Sequence, residues 1–144
     1  MTVSFRNVSV RPTDPVAEWP TEAVQAALER GGLPEWRRIA REIAKEPWGR
    51  TARQVEEVLS HARPYGVADL FEAAIGSTRE QAEANERKAV ATELRALVNR
   101  SGLTQAEFAR RIGTSGSRMS SYVNGGVVPA ATLMVRARNT GASR

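Results

Sequence analysis

The chain has no cysteine among its 144 residues and a single histidine, His61. Disulfides and thiolate chemistry are therefore excluded, and a soft-metal centre lacks its usual ligands. No long apolar run is present, so no segment suits a membrane span. Met1–Arg6 lacks the charged-then-apolar layout of a secretory signal, and a cytoplasmic location is expected. Aromatics make up 6% of the residues, and all three tryptophans (Trp19, Trp36 and Trp48) lie in the first half. There is no internal repeat and no low-complexity tract. A chain of this length holds one domain or two small ones, and either half alone would be marginally stable.

Groups that do chemistry are equally scarce. His61 has no companions on its predicted helix. Glu56 and Glu57 are adjacent, so they leave a helix in different directions and form no acid/base pair. Gly113–Ser117 has the glycines of a phosphate loop but neither the Lys-Ser/Thr ending nor a preceding strand. Ser60-His61 and Ser120-Ser121 have no triad partners. Neither an enzyme, a catalytic residue, a metal site nor a cofactor is expected.

What is present is charge, distributed unevenly. Met1–Gly76 carries ten Lys and Arg against eleven Asp and Glu, whereas Ser77–Arg144 carries eleven against five. The net +5 thus arises wholly in the second half. Such an asymmetry suits a phosphate-binding module, because neutralised phosphates release condensed counterions.

Apolar periodicity predicts an all-α protein. Thr2–Val10 alternates crudely and reads as a short strand or an ordered arm. Pro20-Thr21-Glu22 opens a helix whose face is Val24, Ala27 and Leu28 and whose end is Gly31-Gly32. Pro34 begins a second, with Trp36, Ile39, Ala40 and Ile43 on one stripe. Thr51-x-x-Gln54 has capping-box spacing for a third, lined by Val55, Val58, Leu59 and Ala62. Val67, Leu70, Phe71, Ala74 and Ile75 line a fourth. Trp36 belongs to the core by its spacing. Trp19 and Trp48 sit beside prolines, where either packing or an interface suits them.

These elements predict an N-terminal helical domain over 1–76. Gly76-Ser77-Thr78 marks its boundary, and 77–88 is a charged connector. Its composition suits a long helix continuing into Ala89–Asn99, with a flexible linker as the alternative. The second domain covers 89–138, and 139–144 is expected to be a loose tail.

Within the second domain, Ser101–Gly125 encodes two short helices and one tight turn. Thr104 is placed to cap the first, with Glu107 three residues on. Phe108, Ala109 and Ile112 give its apolar face, and Gly113 ends it where a left-handed residue is needed. Thr114 or Ser115 can cap the second, whose buried face is Met119, Tyr122 and Val123 and which ends at Gly125. Helices this short need a crossed partner. Pro129 starts a last helix closed by Leu133, Met134 and Ala137.

Lys88–Arg138 resembles the lambda-repressor/Cro-like helix-turn-helix family, also called Xre. The resemblance is carried by Leu94-x-x-Leu97, Gly102–Ala109, Ile112–Ser115, Ser117, Ser120, Asn124-Gly125 and Pro129. Val123 departs from it where the family often has Glu, and Gly116 leaves a position that commonly reads bases without a side chain. The resemblance implies double-stranded DNA as partner. It places Ser115, Gly116, Ser117, Arg118 and Ser121 against base edges, and Gln105 and Asn124 against the backbone. Arg118 alone is long enough for a bidentate contact with guanine, and a phosphate contact is its other reading. Arg136 and Arg138 serve either as phosphate contacts or as helix-end stabilisers. Arg110 and Arg111 carry less weight, at least one of them being expected to face solvent or to pair with Glu107.

The expected function is a sequence-specific transcriptional regulator, a homodimeric repressor with a pseudo-palindromic operator. The alternative is an antitoxin that neutralises a toxin through the N-terminal domain and represses their operon. A scaffold whose helix-turn-helix no longer binds DNA is a third reading. No membrane partner is expected.

Overall fold

The computed structural model describes residues 3–6 and 8–142. Among them there are seven α-helices and no strand: α1 (Thr21–Arg30), α2 (Leu33–Lys45), α3 (Arg50–His61), α4 (Val67–Ser101), α5 (Gln105–Ile112), α6 (Gly116–Val123) and α7 (Ala131–Ala142). The all-helical class is as the periodicity indicated. The chain divides into two compact units, Met1–Ala82 and Glu83–Arg144.

The N-terminal unit is built around Trp19, which is fully buried at the end of a 3-10 turn, Val16–Glu18. Phe5 meets its ring edge-on at 5.0 Å, and the Arg38 guanidinium lies 5.1 Å from the ring centroid. The indole Nε1 donates to the Asp14 carbonyl at 3.0 Å, and Gln54 Nε2 donates to the Trp19 carbonyl at 2.8 Å. Val24, Ala27 and Leu28 of α1, Ile39 and Ile43 of α2, Val55, Val58 and Leu59 of α3, and Phe71 and Ile75 of α4 complete this core. Trp36 is half-buried against it, its Nε1 donating to the Ala27 carbonyl at 2.9 Å.

Some sequence expectations are narrowed here to one of their alternatives, and others are corrected. The described part of Thr2–Val10 is an arm, not a strand: Val3 is buried, and Phe5 and Val10 pack on the core. Thr2 and Asn7 lie outside the described residues. Thr51 does not cap α3. It sits inside the helix, buried, while Gln54 turns inward to Trp19. Leu70 is exposed, because its neighbour Phe71 takes the core-facing side of α4. Trp48 is exposed as well, and the Arg79 guanidinium lies 6.0 Å from its ring centroid.

Glu35 ties the arm to α2. Its two carboxylate oxygens accept from the backbone N–H groups of Gly32 at 3.0 Å and Val3 at 3.3 Å. These amides, Gly32 foremost, hold the carboxyl below its ordinary value despite burial, which pushes the other way.

Gly76-Ser77-Thr78 breaks nothing, since α4 runs unbroken from Val67 to Ser101. A glycine ends a helix readily when it adopts a left-handed conformation. Gly76 instead stays helical within α4, and a glycine with helical backbone ends nothing. On α4, Arg79 forms a bidentate pair with Glu56 at 2.8 and 3.0 Å and donates from Nε to the Pro47 carbonyl at 2.8 Å. None of 79–88 is buried.

The C-terminal unit packs Leu94 and Leu97 of α4, Phe108, Ala109 and Ile112 of α5, Met119 and Val123 of α6, and Leu133, Met134 and Ala137 of α7. Helix α7 begins at Ala131, two residues after Pro129, and continues to Ala142. The tail expected to be loose from Asn139 is therefore helical through Ala142, while Ser143 and Arg144 lie outside the described residues. Gly141 lets this last turn pack on α4. A Cβ there would stand 2.6 Å from Leu97 Cδ2 and 3.3 Å from Leu97 Cα, so only glycine lets α7 approach α4 this closely.

Candidate nucleic-acid interface

Helices α5 and α6 are joined by only Gly113, Thr114 and Ser115. Thr104 opens α5, its Oγ1 accepting from the Glu107 N–H at 3.2 Å. Gly113 closes it with φ at +82°, a left-handed conformation that costs glycine little. The Gly113 and Thr114 N–H groups donate back to the Arg110 and Ala109 carbonyls at 3.2 and 2.9 Å. Ser115, not Thr114, caps α6, its Oγ accepting from the Arg118 N–H at 3.1 Å. Asn124 is the C-cap of α6, and the chain turns away through Gly125 at φ +75°.

Met119 and Val123 turn α6 inward, with Tyr122 half-buried beside them. The opposite side is open. Ser115, Gly116, Ser117 and Arg118 are all exposed. A Cβ built on Gly116 would meet nothing within 4 Å. The Arg118 side chain makes no hydrogen bond or ion pair among the described residues. Ser121 follows one turn after Ser117 and is half-buried, its Oγ donating to the Ser117 carbonyl at 3.4 Å. Ser115 is the N-cap of α6, Gly116, Ser117 and Arg118 form its first turn, and Ser121 follows one turn on.

Gln105 and Asn124 stand apart from them. Gln105 is the first residue of α5, exposed, beside the free amides of that helix start. Asn124 is exposed at the far end of α6, about 13 Å from Ser115 at the usual helical rise. Arg110 and Arg111 are exposed too, and with Leu103 and Glu107 they line a shallow recess of about 390 Å³.

The other basic candidates are committed elsewhere. Arg138 pairs with Glu93, its Nε donating at 2.7 Å, and this guanidinium holds the Glu93 carboxyl below its ordinary value. Arg136 Nη1 donates to the Ile112 carbonyl at 3.1 Å. Arg95 on α4, which sequence reasoning missed, donates to the Val123 carbonyl. A backbone carbonyl thus receives this arginine at the position where a glutamate was noted as absent. Nothing local in the sequence marks Arg95 or Arg136 for these roles, because each partner lies more than twenty residues away.

Residues 83–144 carry ten Lys and Arg against four Asp and Glu. An open helix start, the exposed Ser115, Gly116 and Ser117, and the exposed Arg118 on a positive unit form a surface able to donate hydrogen bonds to phosphate oxygens and base edges. No group of His, Cys, Asp and Glu among the described residues is arranged to hold a metal. No helix among them is long and apolar enough to cross a membrane.

Residues 89–139, about one third of the chain, match a family model described as a helix-turn-helix domain. No curated protein and no solved structure matches the chain.

Proposed function

We propose that the protein is a sequence-specific DNA-binding transcriptional regulator of the lambda-repressor/Cro-like (Xre) type, acting in the cytoplasm as a homodimeric repressor. The observation that carries this reading is the uncovered start of α6: Ser115–Arg118 exposed, Gly116 facing open space, and the Arg118 side chain without a hydrogen bond or ion pair among the described residues. A helix presented in this way enters the major groove with its first turn foremost. Arg118 reads guanine. Ser115, Ser117 and Ser121 contribute shorter contacts, partly through water, and Gly116 allows the backbone to come close. Gln105 at the start of α5 and Asn124 at the end of α6 hold phosphates and fix the register. Repression follows from occupancy of an operator, with no covalent step and no cofactor. In a two-fold dimer the recognition helices meet half-sites about 34–36 Å apart.

A second reading, an antitoxin that also represses its own operon, is favoured by one observation. The N-terminal unit exposes Leu33, Trp48, Tyr65 and Leu70, apolar side chains suited to a protein partner. Stoichiometric copurification of the product of a neighbouring gene supports it.

The test is selection of bound duplexes from genomic fragments, followed by gel shift against salt. The expected result is an enriched half-site motif and an affinity that falls steeply with salt. Gln105→Ala weakens binding to every sequence alike. Binding no tighter to selected than to random duplex makes the protein a scaffold and defeats the reading.

A further inference from the structure

Each helix of the motif ends on a carbonyl that an arginine from outside the motif takes up. Arg95 of α4 reaches Val123 at the end of α6, and Arg136 of α7 reaches Ile112 at the end of α5. Resting on the DNA-reading function above, we infer that Arg136 is a positioning residue: it sets the direction of α6 rather than binding phosphate.

The last four carbonyls of a helix lack intrahelical partners. In α5, Ala109 and Arg110 are satisfied by the turn's own amides. Ile112 is satisfied by Arg136. Its carbonyl belongs to the peptide unit that leads into Gly113. Fixing that plane fixes the entry to a connection only three residues long, and so the departure angle of α6. The positive side chain also lies at the negative end of the α5 dipole. Gly113 and Arg136 fit together sterically, because a Cβ at 113 would stand 3.3 Å from Arg136 Nη1. The guanidinium occupies the space that the glycine leaves empty.

A phosphate contact and a positioning role make opposite demands on the salt dependence. Losing a phosphate contact weakens specific and random binding alike and lowers the salt slope by about 1. Losing a positioning contact misaligns the base-reading face while leaving the number of neutralised phosphates unchanged. Arg136→Met in the full-length protein is therefore expected to lose about three- to ten-fold in affinity for a selected site. Its affinity for random duplex and its salt slope stay as in wild type. Arg136→Lys, which keeps the charge but not the planar donor, recovers only part of the loss. Without DNA, amide hydrogen exchange in Arg136→Met is expected to accelerate at Gly113–Ser117 and nowhere in α1–α3.

Equal loss on both duplexes with a reduced slope overturns the inference in favour of a phosphate contact. Wild-type affinity in Arg136→Met with only a lower melting temperature overturns it in favour of a structural role. Unchanged exchange at Gly113–Ser117 overturns it even if wild type selects no sequence, a result that separately defeats the DNA-reading function.

Discussion

In the N-terminal unit the decisive polar bonds cross long stretches of chain: Glu35 holds the Val3 amide, Gln54 holds the Trp19 carbonyl, and Arg38 reaches back to Asp14. In the C-terminal unit Thr104 and Ser115 bond amides only three residues on, and Gly113 closes its helix in place. The N-terminal unit gathers all three tryptophans and a near-neutral charge. The C-terminal unit has no tryptophan and carries the positive excess. Local caps leave the starts of α5 and α6 open to solvent, where DNA can meet them, while Arg136 and Arg95 take up the ends of these helices from distant stretches of the chain. The distant bonds of the N-terminal unit bury Glu35 and Gln54, whereas scattered apolar side chains stay exposed in both units.

The sharpest way to break this comparison is Trp19→Ala. Removing a fully buried tryptophan costs about 3–5 kcal/mol. Calorimetry is expected to show the melting of the N-terminal unit strongly lowered and that of the C-terminal unit unchanged. Equal loss in both would mean that the two units do not stand on separate cores.

Gly141→Ala makes the complementary test. The new Cβ collides with Leu97, and overpacking of this kind costs about 1–3 kcal/mol. The loss falls on the C-terminal unit, read by the same calorimetric scan. A neutral effect would show that α7 is free to shift outward.

Glu35→Gln separates the units by pH. The Glu35 carboxyl is held below its ordinary value, so its contribution is present above the unfolded-state value and lost as pH falls through the folded one. At neutral pH the substitution is expected to destabilise the N-terminal unit by about 1–3 kcal/mol, since hydrogen bonds to a charged group are lost. That difference shrinks as pH falls below about 4.5, the ordinary value. A penalty that stays constant into acid would assign the role of Glu35 to packing.

The smallest effect is expected for Arg138→Met. Its ion pair with Glu93 is exposed, and such pairs contribute little. Neither the melting curve nor the DNA salt slope is expected to move. A reduced slope would restore Arg138 as a phosphate contact.

The same contrast explains what was legible in the sequence. The α5–turn–α6 segment could be read residue by residue, because caps and a left-handed glycine act within one turn of where they stand. The apolar stripes of α1, α2 and α3 were legible from spacing alone. Thr51-x-x-Gln54 misled because the spacing of a capping box says nothing of a tryptophan carbonyl thirty-five residues earlier that needs a donor. Gly76 misled because a glycine stops a helix by its backbone conformation, and sequence does not reveal conformation. Gly141 looked like tail composition, yet its reason lies on α4. In the candidate interface, the exposed residues of α6 follow from helical phase, whereas Arg95 and Arg136 are visible only once distant helices are in place.

The central claim is that α6 reads DNA through its first turns, and base preference in Arg118→Ala tests it most directly. Selection from random duplexes with wild type and variant is expected to show one guanine position relaxed, with the rest of the motif and the affinity for random DNA retained. An identical motif from both proteins, at identical affinity, would contradict the account.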